Sequence, residues 1–203
     1  MKQNWIVLAP MRSGSKLIVE VIRNYYSIEK KLDYEYFNPN TKFDDIPFLA
    51  NSQWIFHSHK HNDIQKYIAS KAKVVLNDRN ILESVLSRLI VDQTKEWHYY
   101  KYKRIEIAQL KLDLPLFKKY YHEHLHFRNS IARFKHLVNY VLEYNLFQNN
   151  PQIITKYLDL SIDHNLNLKY VLPMKRPGSY DQWFVNWHEV KDLILEYHNQ
   201  FET

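Results

Sequence analysis

The stretch "WIVLAPMRSGSKLIVEVI", residues 5–22, decides the fold. Its first part, "WIVLA" (5–9), is a short apolar, β-branched run and reads as a buried strand. Leu17, Ile18, Val21 and Ile22 then recur at helical spacing, which predicts a helix over 15–26. Between them lies "PMRSGSKL" (10–17), with Gly14, one of only two glycines in the chain. Glycine lets a backbone turn tightly and approach a ligand with no Cβ in the way. The first N–H groups of a helix lack internal partners and carry the positive end of its dipole, so such a turn makes an anion site. Arg12 adds a charge, and Ser13 and Ser15 add hydroxyl donors. The same residues also suit an ordinary tight turn with Ser13 as helix cap.

The rest of the chain repeats the strand-then-helix order. "QWIFHSH" (53–59) reads as a second strand, and Asn62 can cap a short helix over 63–70. "KVVLND" (73–78) is a third strand leading into a helix over about 80–92. A long helical stretch is expected over roughly 113–146, with Ile131, Phe134, Leu137, Val138 and Val141 on one apolar face. "QIITKY" (152–157), with its paired isoleucines and threonine, reads as a fourth strand. A last helix covers about 187–201. Strands alternating with helices predict a small parallel sheet flanked by helices, an α/β fold of three layers. Ligands of such sheets bind beyond the carboxyl ends of the strands, so the residues just after each strand carry the functional reading.

Composition narrows the classes. At 203 residues, with an ordinary 45% of hydrophobic residues, the chain suits one globular domain over 1–203. It has no cysteine, which excludes disulfides and thiolate metal sites. No targeting signal is visible, and no apolar run approaches the roughly 20 residues needed to span a bilayer. A cytoplasmic protein without membrane contact is the expectation. The net charge of +6 fits either an anionic ligand or a basic surface of no specific meaning. With no zinc finger, RNP motif or basic repeat, nucleic acid is not an expected partner.

The first turn is not a Walker A loop. G-x-x-x-x-G-K-[ST] requires glycine at position 9 and lysine at 15, whereas the chain has Ala9 and Ser15, with Lys16 one place late. "RSGSK" (12–16) instead resembles the 5′-phosphosulfate loop of sulfotransferases that use 3′-phosphoadenosine-5′-phosphosulfate (PAPS), K-S-G-T-T or R-S-G-S-T. Lys16 stands in place of the usual hydroxyl residue. The resemblance implies a P-loop NTPase-like three-layer fold in which Arg12 contacts the bridging oxygen of the donor. It also implies that the loop from Arg12 through Ser13, Gly14, Ser15 and Lys16 to Leu17 holds the 5′-phosphate.

Further segments are similar to the family in the same order. The pattern R-[ND]-P-x-D-x-x-x-S after the third strand is matched by "RNILESVLS" (79–87). Ile81 and Glu83 depart from it, but Arg79 and Ser87 fall at the two positions that hold the 3′-phosphate. A guanidinium offers fork geometry to such a group. After the second strand the family carries K-T-H, and the chain reads "HSH", which puts His59 at the position of the general base and His57 at that of the lysine. A neutral imidazole suits removal of a hydroxyl proton near pH 7. The resemblance also admits a glutamate base after the first helix, and "YEYFNP" (34–39) places Glu35 there. The family's Y-E-D-[LM] is matched by "YLDL" (157–160), which implies that Tyr157 lies near the adenine. "KRPGSYDQW" (175–183) is similar in character to the basic, glycine-containing loop that closes over the nucleotide, with Lys175, Arg176 and Gly178.

The resemblance thus implies transfer of a sulfuryl group from PAPS to a hydroxyl or amine of a small-molecule or carbohydrate acceptor. The product would be 3′,5′-bisphosphoadenosine (PAP), and no metal would be needed because cationic side chains take its place. Two other classes stay open: a nucleotide or sugar kinase with a degenerate P-loop, for which Asp78 is the obvious magnesium carboxylate, and a non-catalytic nucleotide-binding protein. "HEHLHF" (122–127) has His122 and His126 four apart, a spacing that a metal can use, but no third ligand is identifiable. "YYKYKR" (99–104) reads as a solvated face, a lid or a grip on an acidic acceptor.

Overall fold

The computed structural model describes residues 3–26, 28, 31–33, 53, 55–59, 72–96, 109–148, 150, 152–160 and 178–201. Among these, β1 (Trp5–Leu8) runs into α1 (Ser15–Tyr26), followed by β2 (Lys31–Asp33), β3 (Ile55–Ser58), β4 (Lys73–Asp78) and α2 (Ile81–Thr94). Then come α3 (Leu114–Ala132), β5 (Tyr140–Glu143), α4 (Tyr144–Phe147), α5 (Gln152–Tyr157), α6 (Tyr180–Trp183) and α7 (Trp187–Asn199). The strands form one parallel sheet in the order β2-β3-β1-β4-β5. The expected α/β fold with a small parallel sheet is the one observed.

Alternation along β1 sorts the core into two layers. Trp5 and Val7 face α1 and α5, in a cluster with Ile18, Ile22, Ile55, Val75, Leu142 and Ile154. Ile6 and Leu8 face the other way, with Phe56, Val74 and two residues of α3, Phe127 and Ile131. A third cluster joins α2, α3 and α7 through Leu86, Leu89, Phe117, Tyr121 and Ile194. Local signals set the helix starts. Asn80 Oδ1 accepts from Glu83 N at 3.2 Å to cap α2, and Asp113 Oδ1 accepts from Leu116 N at 2.9 Å to cap α3.

Two expectations are corrected. The helix expected over 113–146 ends at Ala132, and a strand forms at 140–143. The spacing of Phe134, Val138 and Val141 suits a helix, but Asn139 is claimed by the sheet edge. Its N–H donates to Val74 O at 3.0 Å, and its Oδ1 accepts from Val74 N at 2.7 Å. That reciprocal pair starts β5 beside β4. The fourth strand expected at "QIITKY" is instead the helix α5. Asn150 Oδ1 accepts from Gln152 N at 3.2 Å at its start, and Ile154 packs into the α1 side of the core. With β5 already on the edge of β4, packing overrides the β-propensity of the isoleucines. The helix expected at 63–70 and the basic run 99–104 lie outside the described residues. Among the described residues, no helix is long and apolar enough to cross a membrane.

Candidate functional site

The turn after β1 is built of left-handed backbone. Arg12 has φ +64° and Gly14 φ +84°. A Cβ at position 14 would stand 2.2 Å from Cδ2 and Cε2 of Tyr144. The glycine thus admits a protein ring, where the sequence suggested a ligand. Sequence patterning does not single out Tyr144, because it follows a strand whose apolar spacing reads as helix.

The turn is fixed from β4, its neighbour in the sheet. Asn77 Nδ2 donates to Ser13 O at 2.6 Å, and Arg79 Nη1 donates to Arg12 O at 2.7 Å. The Arg79 guanidinium also lies 4.4 Å from the centre of the Tyr144 ring and pairs with Glu83 through Nε at 3.2 Å. Arg12 Nε donates to Ser87 Oγ at 3.4 Å. Arg12, Arg79 and Ser87, up to 75 residues apart in sequence, therefore meet at one place. The direct partner of Ser87 here is Arg12, while Arg79 braces the loop carbonyl. Burial pushes the Tyr144 phenol up, against the opposing pull of Arg79 and Arg12.

The β3 end supplies the histidines. Ser15 Oγ and His57 Nε2 are hydrogen-bonded at 2.7 Å. His59 Nδ1 lies 2.8 Å from Ala9 O, and the His57 and His59 rings meet edge to face at 4.5 Å. A carbonyl oxygen only accepts, so Nδ1 of His59 carries a proton, which in the neutral ring leaves the lone pair on Nε2. This is the tautomer that a general base acting through Nε2 requires. Ser13 is fully buried, and its Oγ has no hydrogen-bond partner among the described residues. Lys16 Nζ pairs with Glu20 Oε1 at 3.3 Å.

Other expected residues fall as follows. Leu17 N closes the first turn on Gly14 O at 2.9 Å, and its side chain is core. Tyr157 ends the helix α5, not a strand, and is 48% exposed. Gly178 has φ +91°. Two residues on, burial pushes the Tyr180 phenol up to about 12 while the nearby Arg79 opposes the shift. Asp78 is engaged by protein groups: its Oδ2 accepts from Arg128 Nη2 at 2.7 Å and its Oδ1 from Arg79 N at 2.9 Å. His122 Nε2 is hydrogen-bonded to Tyr197 Oη at 2.6 Å. Glu35, Lys175 and Arg176 lie outside the described residues.

No protein-family model matches the chain, and no curated protein matches it in sequence. Its solved structural neighbours include the sulfotransferase from Alicyclobacillus acidocaldarius. That structure has a TM-score of 0.51 and 11% identity, over 97% of this chain and 92% of its own. A mouse sulfotransferase complexed with PAP has a TM-score of 0.52 and 11% identity, over 83% of this chain and 63% of its own. With five parallel strands and the loop-to-helix turn after β1, the chain has the sulfotransferase fold.

Proposed function

We propose that this chain is a PAPS-dependent sulfotransferase acting as a single domain. The observation that carries the reading is the convergence of Arg12, Arg79 and Ser87 at the left-handed turn before α1. The residues present fit the donor. Ser13 Oγ, buried and without a partner among the described residues, sits in the turn where a phosphate oxygen would accept from it. Arg12, Ser13, Gly14, Ser15 and Lys16 would hold the 5′ side, and Arg79 with Ser87 the 3′-phosphate. Tyr157, Lys175, Arg176 and Gly178 are assigned to the nucleotide on the resemblance described above. The mouse structure with PAP supports the same choice of ligand.

Bound PAPS would supply an activated sulfuryl group: its S–O bond to the 5′-phosphate breaks, the phosphate keeping the electron pair, as an S–O bond to the acceptor forms. The chain's own part is positioning and electrostatics. Arg12 neutralises charge growing on the phosphate. His59 Nε2 takes the acceptor proton, and its Nδ1–H on Ala9 O ties the base to the strand that leads into the phosphate loop. Glu35 is the competing base.

Thermal unfolding with PAP or ADP, without added metal, tests the reading. PAP at about 100 times its dissociation constant should add roughly 2.7 kcal/mol. Equal stabilisation by ADP would remove the case for a 3′-phosphate site.

A further inference from the structure

A cavity of about 120 Å³ opens beside His59. Pro10, Met11, Val85 and Phe127 form its apolar walls. One polar side is prearranged: Arg88 lies 3.5 Å from the centre of the Tyr120 ring and donates to Glu123 at 2.6 Å, and Tyr120 donates its hydroxyl to Asp92. The other polar side is incomplete. Ser84 and His124 both line the cavity, at 1% and 5% exposure. Neither Ser84 Oγ nor His124 Nε2 has a hydrogen-bond partner among the described residues.

Two orphaned polar atoms on one small cavity are costly unless something completes them. The space is several times what one water needs. His124 offers no charge: burial, with Arg128 and Arg79 nearby, lowers its pKa to about 3. Glu123 is held by Arg88, so it is not a ready counter-ion for an ammonium. The missing partner is therefore a neutral group that both donates and accepts, which is the chemistry of a hydroxyl.

We propose that this cavity receives an aliphatic vicinal diol, as on the edge of a sugar ring, with one hydroxyl on His59 and its neighbour between Ser84 and His124. The proposal rests on the sulfotransferase reading and names its acceptor class. The first hydroxyl loses its proton to His59 Nε2 as its oxygen bonds to sulfur. The second stays intact and sets the pose.

The test compares trans-cyclohexane-1,2-diol, cyclohexanol and cyclohexylamine on the full chain. Ligand-observed NMR on the PAP-saturated protein gives the dissociation constants, and transfer from labelled PAPS, with no PAP added, gives kcat/KM. The diol should bind and react at least about tenfold better than cyclohexanol, the scale of satisfying one buried polar group. Ser84→Ala and His124→Phe should each bring that ratio toward one. Ser84→Ala should also keep or raise the melting temperature, because it removes an orphaned hydroxyl. A diol that binds no better than cyclohexanol, a ratio that both variants leave unchanged, or a preference for the amine overturns the proposal. If PAP still stabilises the protein in those cases, the sulfotransferase reading stands. If PAP neither binds nor is released from PAPS, that reading falls, and the acceptor assignment falls with it.

Discussion

Tyr144 lies so close over Gly14 that a methyl group at position 14 would overlap two of its ring carbons. The pairing joins the end of β5 to the turn after β1, and Arg79 on the ring adds a third member. Gly14→Ala meets both this ring and the cost of a left-handed alanine. It should lose about 2–4 kcal/mol in urea unfolding. Gly14→Ala combined with Tyr144→Ala should be less destabilised than the sum of the single variants by about 1–2 kcal/mol. Strict additivity would mean that the ring gives way freely.

The proposed function gives Arg79 a second duty besides bracing the turn, and a second substitution separates the two. Arg79→Ala should weaken PAP binding by about 2–3 kcal/mol and also lower stability, since the Arg12 carbonyl loses its donor. Arg79→Lys keeps the charge but not the fork geometry, so it should recover part of the binding. Calorimetry with PAP and ADP on both variants checks this. Equal losses for the two nucleotides would leave Arg79 a structural role only.

His59→Ala should lower turnover at least about a hundredfold with PAP affinity nearly unchanged. Glu35→Ala, measured alongside, is the control. Abolished transfer in Glu35→Ala with near-normal His59→Ala would move the base to the carboxylate.

His124 makes stability depend on acid. The unfolded imidazole titrates near 6.5, while the folded one resists protonation down to about 3. Between those values the unfolded chain binds a proton that the folded chain refuses. Stability from this group is therefore full above about pH 6.5 and falls as pH drops, by up to about 1.4 kcal/mol per unit. Urea midpoints at pH 7 and pH 5 should differ more in the wild type than in His124→Asn. Equal differences would mean that His124 protonates in place.

The parts of the fold carried by local pattern were legible in the sequence: β1 and β4 follow from apolar runs, α1 from its helical spacing, and a helix is expected over about 80–92, where α2 lies. The failures are cases where a partner decides. "YVLE" becomes a strand because Asn139 hooks onto Val74, and "QIITKY" becomes a helix because that edge is then occupied. β2, only three residues of mixed polarity, carries no periodic signal at all. In the candidate site, the sequence offsets single out Arg12, Arg79 and Ser87, and the structure joins Arg12 to each of the other two. Tyr144 was lost with the strand before it. His124 was hidden by its neighbours: His122 and His126 draw the eye as a metal pair. Yet Phe117, Tyr121, His124, Phe127 and Ile131 step along one buried face at spacings of three and four, which marks His124 as the inward histidine.

The bonds from Asn77 and Arg79 to the carbonyls of Ser13 and Arg12 also bear on how the protein folds. The turn after β1 borrows two of its fixings from β4 and the residue that follows it, more than sixty residues downstream. It cannot acquire its final shape while β1 and α1 stand alone, however strong their local propensities. The turn should therefore mature together with the β1–β4 pairing, which is a long-range contact. A nucleotide that grips this turn thereby clamps two strands, so its stabilisation should be read in the unfolding limb of the chevron, as a slower escape from the native state.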